Sequence, residues 1–293
     1  MFIAGIDGGG THTRIEIRDE SNNFVRREEF GPFNLNSIGE TAFRALLKEV
    51  FAACGGMTDC ARICFGAAGI SNPRVGEILA EELAEAGFNG RWKLCGDQEI
   101  ALRGAMDEPG VAVISGTGSI CFGKNAAGET ARSGGYGHLI DDGGSGYAIG
   151  RDILSAAVRA VDGRGTGGKI LQAVYDRLGI STPGQIVSFV YSPETDKSAI
   201  AKLSWIALEL AQAGDPVATE ILERNADELC VLVTAAQRKL GLEGCPIALL
   251  GGLISLDNLY RDIVVRKMSA IGSPLAPGHD ALWGAAQMAW EMN

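Results

Sequence analysis

The stretch Ile6-Asp7-Gly8-Gly9-Gly10-Thr11 has a counterpart later in the chain, Ile114-Ser115-Gly116-Thr117-Gly118-Ser119. Each joins the end of an apolar strand to a turn of Gly, Thr and Ser, and a second strand follows. Successive backbone N–H groups in such a turn point the same way and form an anion-binding concavity. Gly lets the backbone approach a phosphate closely, and Thr or Ser hydroxyls add donors. One such hairpin is weak evidence, but two in similar contexts indicate a duplicated phosphate-binding unit.

Neither turn belongs to the two most familiar nucleotide-binding motifs. No Gly-Lys-Ser or Gly-Lys-Thr follows, so neither turn is a P-loop. A strand rather than a helix comes next, which excludes the Rossmann fingerprint. The sequence therefore predicts phosphate binding by a pair of hairpins.

The chain around the first turn predicts three strands that form an antiparallel meander. Helices then alternate with strands, which makes the later strands parallel neighbours. Ser37 opens the first predicted helix as a capping box, and Asn72-Pro73 opens the second with a cap and a proline. The predicted strands cover 1–7, 13–19, 24–30, 60–67 and 91–97, and the predicted helices cover 37–54, 72–87 and a segment from about 98.

The second half of the chain begins again with a strand, a turn and a strand. The predicted strands are 111–115, 120–124 and 246–250, and a long helical insertion covers 147–240, with a helix restarting at Asp215-Pro216. A terminal helix is expected from about His279 to Met292. We expect an N-terminal domain over 1–108, against which 279–293 packs, and a C-terminal domain over 109–278.

Composition narrows the class of partner. The formal net charge of −10 argues against nucleic acid, because phosphate neutralisation needs an excess of Lys and Arg. The seven cysteines are scattered without a CxxC motif, which favours buried free thiols and a reducing compartment. No apolar run approaches the roughly 20 residues of a membrane span. We therefore expect a cytoplasmic protein without a membrane partner.

Two carboxylates stand at the ends of predicted strands. Asp7 lies against the first turn, where it could hold Mg²⁺ through water and offset phosphate charge; the alternative is an Asx-type turn that caps the glycines. Asp97 closes an apolar strand before a helix. It could accept a proton from a substrate hydroxyl, or it could simply cap that helix.

A longer glycine cluster covers residues 134–146. The segment is too irregular for a helix or a strand, and it carries one histidine and two aspartates. Such a loop is suited to binding a polyol, although His138 taken alone is more often structural.

Five short motifs, taken in order, resemble the superfamily of sugar kinases, Hsp70 and actin. They correspond to its first phosphate, first connecting, second phosphate, adenosine and second connecting motifs. Within it the chain is similar to the BadF/BadG/BcrA/BcrD ATPase family, especially its N-acetylglucosamine and glucosamine kinases. The implied fold is α/β, with two duplicated ribonuclease H-like (actin-like ATPase) domains around a central cleft. The motifs are the two turns quoted above, Cys95-Gly96-Asp97, Leu250-Gly251-Gly252 and Asp280-Ala281-Leu282-Trp283-Gly284-Ala285-Ala286.

The resemblance implies a role for individual residues. Asp97 matches the catalytic base, which also contacts the substrate. One departure concerns Ala68, where some relatives have Ser, so the recognition of the sugar's 2-substituent is open. The implied ATP contacts are Asp7, Gly9, Gly10, Thr11, Thr117, Gly118, Gly251 and Gly252, and the implied sugar contacts are Asn34, Gly69, Gly135, Tyr136, Gly137 and Asp142.

The function that the resemblance implies is transfer of a phosphoryl group from ATP, with Mg²⁺, to O6 of N-acetylglucosamine or glucosamine. A glucose kinase is an alternative, and a homodimer is expected from the family. Other relatives activate acyl-CoA dehydratases or reductases with an iron–sulfur cluster shared across a dimer, but no adjacent cysteine pair favours this. A non-enzymatic actin-like ATPase would need large partner-binding additions, for which the length leaves little room.

Overall fold

The computed structural model describes residues 1–67, 69, 70, 72–107 and 109–292. The chain forms two compact units. Unit 1 consists of Met1–Asp107 together with Pro277–Asn293, and unit 2 of Glu108–Ala276.

Ten strands and eleven helices are found in the described part of the chain. The strands are β1 (Phe2–Gly8), β2 (Thr13–Asp19), β3 (Phe24–Phe30), β4 (Cys60–Ala67), β5 (Arg91–Gly96), β6 (Gly110–Ser115), β7 (Ser119–Lys124), β8 (Thr130–Gly134), β9 (Pro246–Leu250) and β10 (Ser273–Leu275). The helices are α1 (Leu35–Ala53), α2 (Pro73–Glu85), α3 (Asp97–Ala105), α4 (Gly146–Val161), α5 (Gly168–Leu178), α6 (Pro183–Val190), α7 (Lys197–Ala201), α8 (Ser204–Gln212), α9 (Pro216–Leu240), α10 (Leu259–Met268) and α11 (Ala281–Trp290).

The sheet of unit 1 has the order β3-β2-β1-β4-β5. The predicted meander is confirmed, since β1 and β3 are both antiparallel to β2. The strands that follow helices α1 and α2 run parallel to β1, as predicted from the alternation of helix and strand. The parallel strands end together, and their carboxyl ends form one edge of the sheet.

The sheet of unit 2 repeats this plan. Its order is β10-β9-β6-β7-β8, with β6–β7 and β7–β8 antiparallel and β6–β9 and β9–β10 parallel. Strand for strand, β6 corresponds to β1 and β9 to β4. The predicted duplication is therefore present in the topology, and each quoted turn joins the first two strands of its own sheet.

Helices cover both faces of the unit 1 sheet. Successive side chains of β4 point to opposite faces of the sheet. Ile63 and Phe65 lie in the core under α1 and α2, whereas Cys64 lies in the core under α3 and α11. Helix α11 follows unit 2 in the chain but packs against β1 and α3. A Cβ on Gly5 would lie 2.1 Å from the backbone nitrogen of Ala286, so this contact requires glycine.

A charge network with the buried pair Arg18–Glu16 at its centre joins α11 to the unit 1 sheet. Arg18, which is 3% exposed, donates to Glu16 at 2.5 Å and to Gln287 at 3.2 Å. Arg27 bridges Glu16 and Asp280, and the Arg18 guanidinium lies 5.0 Å from the centroid of the Trp283 ring. Removing one partner would leave a buried charge uncompensated, so the network makes the position of α11 specific.

Six helices, α4 to α9, stand between β8 and β9 and form most of the core of unit 2. They occupy the predicted helical insertion. The restart at Asp215-Pro216 is confirmed, because the Asp215 carboxylate accepts from the backbone N–H groups of Val217 and Ala218.

The start of α1 differs from the prediction. The helix begins at Leu35 with Asn34 at the N-cap position, and Gly39 interrupts it with φ 78°. The Ser37 hydroxyl donates to the Asn34 carbonyl and does not cap the helix. The capping-box pattern is therefore misleading here, since the left-handed conformation at Gly39 breaks the spacing on which a capping box depends.

Candidate active site

The carboxyl edge of the unit 1 sheet gathers most of its predicted site residues. Gly8 pairs with Ala67, and Ala67 pairs with Gly96, so the ends of β1, β4 and β5 form one row. The first turn, Gly69 and Asp97 each come immediately after this row. In open α/β sheets, this edge is where ligands bind.

Asp7 lies one residue before the end of β1 and faces Arg14 on β2. The Arg14 guanidinium donates to Asp7 Oδ2 at 2.5 Å, whereas Oδ1 has no hydrogen-bond partner among the described residues. The side chain is 15% exposed. Asp7 thus has a permanent cationic partner and keeps one carboxylate oxygen free. The sequence prediction missed Arg14, although the register of a tight hairpin places it opposite Asp7.

The first turn and the Asn34 loop form one piece of structure. Gly9 N donates to His12 O, and Phe33 N donates to Gly9 O, both at 2.9 Å. The ring of Phe33 fills the space where a side chain on Gly8 would lie. Gly10 and Thr11 are exposed on this turn. The Asn34 side chain, next to Phe33, makes no hydrogen bond within the described ranges, so it is free to bind a ligand.

Asp97 is the first residue of α3, and Gly96 occupies the N-cap position. Its carboxylate accepts from Gln98 N at 2.9 Å. The residue as a whole is exposed, but the protein close to its carboxyl group partly desolvates it and raises its pKa, and the negative charge of Asp7 raises it further. The interpretation of Asp97 as the N-cap residue is therefore wrong, although its contact with Gln98 resembles a capping interaction.

The segment of unit 1 that holds the predicted sugar contact Gly69 is described in part. Gly69 has φ 74°, and its carbonyl accepts from Asn72 N. The Asn72 side chain caps α2 through Arg74 N, as predicted, and donates to Asn36 beside the Asn34 loop. The predicted departure at Ala68 lies outside the described residues.

The second turn packs against the start of α4 in unit 2. Gly116 N donates to Gly118 O, the Gly116 carbonyl accepts from Gly146 N at 2.8 Å, and the Thr117 carbonyl accepts from Tyr147 N at 3.3 Å. Because these contacts use the backbone of the turn, the Thr117 hydroxyl remains available. The first N–H groups of α4 are occupied by the turn, so the donors left for an anion are those of the turn itself, including the Thr117 hydroxyl.

Asp142 is the most unusual side chain of unit 2. It is 5% exposed and has φ 63°, a conformation that favours glycine. Its carboxylate approaches the second turn, since a Cβ on Gly118 would lie 2.8 Å from Asp142 Oδ2. No hydrogen bond to this carboxylate occurs in the part of the chain that the structure describes. A carboxylate that no protein group bonds can accept hydrogen bonds from a ligand, so this position is suited to a ligand that supplies donors.

The predicted adenosine loop lies beside the same strand end. Gly251 follows β9 with φ 90°, and a Cβ there would lie 2.3 Å from the Ser115 carbonyl oxygen. That carbonyl accepts from Leu253 N at 3.2 Å. Gly251 therefore allows a close approach of two backbones, while Gly252 is exposed next to it.

The glycine cluster begins in a strand that the sequence interpretation missed, β8, which ends at Gly134. Gly135 and Gly137 have positive φ values. Tyr136 is 69% exposed, and its N–H donates to Asp141 Oδ2. His138 packs edge-on against Tyr147 with ring centroids 4.7 Å apart, in accord with a structural role.

Four side chains hold the end of this loop, at Gly143 and Gly144, and none of these contacts was predicted from the sequence. Ser119 donates to the Gly143 carbonyl at 2.7 Å. Ser115 and Tyr260 donate to the Gly144 carbonyl, and Asn225 accepts from Gly144 N. The second turn and the glycine loop are thus one hydrogen-bonded structure. Tyr260 and Asn225 come from distant helices, so only the fold identifies them.

The cysteines do not resemble a shared metal centre. All seven are free, six are buried, and Cys230 is half-buried. The sulfurs of Cys64 and Cys95 lie 3.9 Å apart in the interior, and this contact and burial raise the pKa of the Cys95 thiol. Within the described ranges, no group of three or more His, Cys, Asp or Glu side chains could enclose a metal.

Membrane association through a spanning helix finds no support in the described helices. None of them combines enough length with enough apolar character to cross a bilayer.

Two copies of one five-stranded sheet, each with a Gly/Thr/Ser turn after its first strand, define the fold class of the sugar kinase and actin superfamily. The chain belongs to the BadF/BadG/BcrA/BcrD ATPase family, whose profile matches residues 4–289.

Relatives with assigned activities match nearly the whole chain. The chain is 32% identical to the N-acetylmuramic acid/N-acetylglucosamine kinase of Clostridium acetobutylicum, and the match covers 98% of both chains. It is 31% identical to the N-acetyl-D-glucosamine kinase of Dictyostelium discoideum, over 92% of this chain and 90% of that one. A Chromobacterium violaceum protein, solved as a proposed N-acetylglucosamine kinase, superposes with a TM-score of 0.77 at 26% identity, over 98% of both chains.

Proposed function

We propose that this protein is an ATP-dependent kinase that phosphorylates N-acetylglucosamine, or a close amino sugar, on O6. The observation that carries the proposal is full-length likeness, at 31–32% identity, to two kinases that are both named for N-acetylglucosamine. The two glycine turns and the free polar side chains near them supply groups of the kind that such a reaction needs.

The nucleotide contacts in this proposal are backbone groups and small hydroxyls. Gly9, Gly10 and Thr11 of the first turn, and Thr117 and Gly118 of the second, act on the phosphates, and Gly251-Gly252 accommodates the adenosine. The exposure of Gly10, Thr11 and Gly252 supports these roles.

Mg²⁺ fits the chemistry of Asp7. This ion takes few protein ligands and keeps several waters, so one free carboxylate oxygen is enough to hold it through water. The bond from Arg14 occupies Oδ2 and leaves Oδ1 without a hydrogen-bond partner among the described residues. When bound, the ion would offset the charge of the β- and γ-phosphates.

Asp97 acts as the general base. The O6 hydroxyl attacks the γ-phosphorus, its proton passes to the Asp97 carboxylate, and the bond from the γ-phosphorus to the oxygen of ADP breaks. A raised carboxyl pKa makes Asp97 a better proton acceptor than an ordinary aspartate. Asn34, Gly69, Gly135, Tyr136, Gly137 and Asp142 are the proposed sugar contacts. The unpartnered carboxylate of Asp142 suits the hydroxyl donors of a sugar.

An assay of ADP release against a sugar panel tests the function. We expect turnover with N-acetylglucosamine, and comparison with N-acetylmuramic acid, glucosamine and glucose ranks the substrates. The analogue 6-deoxy-N-acetylglucosamine should not react, and phosphorus NMR should locate the product phosphate on C6. Equal ADP release with and without every sugar would mean that the protein is an ATPase and not a sugar kinase.

The proposal also includes a compartment and an assembly state. Seven free cysteines, six of them buried, suit the reducing cytoplasm, where we place the enzyme. Homodimer formation is a family expectation that light scattering of the purified protein would test.

A further inference from the structure

Arg132 makes three contacts with the loop that contains the proposed sugar contacts Gly135, Tyr136 and Gly137. Its Nε donates to the Gly134 carbonyl and its Nη2 to the Gly135 carbonyl, each at 2.9 Å. The guanidinium carbon also lies 4.9 Å from the centroid of the Tyr136 ring. One side chain therefore holds three successive residues at the start of the loop.

The two carbonyls can meet one guanidinium because both residues are glycines in the left-handed region. Gly134 has φ 76° and Gly135 φ 74°. A Cβ would lie 2.7 Å from Leu232 at the first position and 2.9 Å from Ile120 at the second. The backbone thus adopts a conformation that other residues disfavour, and Arg132 bonds it from outside the loop, in addition to the bond from Tyr136 N to Asp141 within it.

The charge of Arg132 serves no ion pair. No carboxylate lies within salt-bridge distance of it in the described part of the chain, and its side-chain donors go to backbone carbonyls instead. Its own carbonyl accepts from Lys239 Nζ on α9 at 2.9 Å, which fixes the backbone from which the side chain extends. The planar fork of arginine can bond two neighbouring acceptors at once, which a lysine ammonium cannot do with the same geometry.

We propose that Arg132 is the positioning residue for sugar recognition, because it holds Gly135-Tyr136-Gly137 in the sugar-binding conformation before the sugar arrives. The inference rests on the proposed function of this loop. Without Arg132 the loop is ordered only part of the time, and binding must select the ordered fraction, which weakens apparent affinity in proportion. The backbone of the second turn bonds to Gly146 and Tyr147 at the start of α4 and makes no contact with Arg132 among the described residues, so ATP use should be unaffected.

Steady-state kinetics of three variants test the proposal. Arg132→Ala should raise KM for the sugar about tenfold, a change that corresponds to about 1.4 kcal/mol, with kcat and KM for ATP within about twofold of the unaltered enzyme. Arg132→Lys should recover only part of the loss, since it restores charge without the fork. The matched control is Arg177→Ala on α5, an exposed arginine of the same unit that bonds only Glu209, and its kinetics should not change.

Hydrogen exchange without any ligand provides a second, independent measurement. In Arg132→Ala the amides of residues 134–141 should exchange faster, while those of β6 and β7 keep their protection. An unchanged sugar KM, an equal rise in KM for ATP, full recovery with Lys, or unchanged exchange would each overturn the proposal. If the unaltered protein phosphorylates no amino sugar, the proposed function fails, and the exchange result still decides whether Arg132 orders the loop.

Discussion

Asp97 shows how far a single residue can be interpreted from sequence. Its place between a strand and a helix predicts two roles, a general base and a helix cap, and the pattern cannot separate them. The fold separates them in part, because Gly96 takes the cap position and the carboxyl group lies where burial and Asp7 raise its pKa. The proximity of Asp7 could not be predicted from the local sequence, because Asp7 lies on another strand.

The substitution Asp97→Asn should therefore have opposite effects on activity and stability. We expect kcat to fall at least about 100-fold, because general-base catalysis typically contributes 10²–10⁴. The melting temperature should rise at neutral pH, since the ionised carboxylate is less stable in this environment than in the unfolded chain. Kinetics and thermal melts of both proteins measure these effects.

The pH dependence follows from the direction of the shift. A raised carboxyl pKa means that the folded state binds a proton more readily than the unfolded state, so the destabilisation is complete above the folded pKa. It disappears as the pH falls below the ordinary aspartate value. The stability gain of Asp97→Asn should accordingly vanish in acid. A variant with near-normal kcat, or one that is less stable at neutral pH, would contradict the role of Asp97.

Asp7 gives a second prediction at this scale. Asp7→Ala should raise the Mg²⁺ concentration needed for half-maximal turnover, because the free Oδ1 that could hold the ion through water is lost. A Mg²⁺ titration at fixed ATP measures this. Asp162→Ala is the control, since that exposed carboxylate bonds only Arg164. An enzyme that stays equally active in EDTA would show that Asp7 has no metal role.

At the scale of elements, the hydrophobic periodicity of the sequence and the Gly, Pro and Asn residues at the ends of elements predicted most strands of the two sheets. The residues of β4 and β9 match their predictions, and Asn72-Pro73 and Asp215-Pro216 mark true helix starts. The failures have physical causes. Strand β8 is short, polar and rich in small residues, so its pairing with β7 and not its own pattern makes it a strand. Strand β10 has three residues and depends on β9 in the same way.

The crossing of α11 over α3 gives a prediction for helix packing. A Cβ on Gly284 would lie 2.0 Å from the Ile100 carbonyl oxygen of α3. Gly284→Ala should destabilise unit 1 by about 1–3 kcal/mol, the usual cost of overpacking, although alanine is the better helix former. Denaturant unfolding measures the change.

The matched control for that substitution is Gly184→Ala in α6. No atom lies within 4 Å of a Cβ there, so helix propensity alone should act, and stability should stay equal or rise by up to about 1 kcal/mol. Equal effects of the two substitutions would refute the close contact between α3 and α11.

At the scale of the whole molecule, two six-residue stretches predicted the repeated sheet, because each stretch joins the first two strands of its copy. The candidate site was predicted where it follows strand ends and missed where distant side chains support it. Arg14, Arg132, Asn225 and Tyr260 have no local signal of function. Their roles depend on strand register and on helix packing, which only the folded chain provides.

Unit 1 consists of two segments that are far apart in the chain, so the folding of each segment can be tested separately. A fragment of residues 1–107 should not fold cooperatively by itself. Without α11 it exposes the core around Cys64, Cys95 and Ile100, and the buried Arg18 loses its contacts with Gln287 and with the Trp283 ring. The open apolar face is strongly destabilising, and Arg18 also loses the amide that completes its hydrogen bonds, although it keeps its ion pair with Glu16.

A fusion of 1–107 to 277–293 through a short linker should restore the fold. The two segments already meet, since Gly278 N donates to the Ala105 carbonyl at 3.0 Å and His279 N to the Gly104 carbonyl at 2.8 Å. The linker therefore closes a small gap at little entropic cost. Dispersed amide NMR signals and a cooperative melt should appear for the fusion and be absent for 1–107. If both melt cooperatively at the same temperature, α11 is not part of the unit 1 core, and the buried charges must be stabilised by the sheet alone.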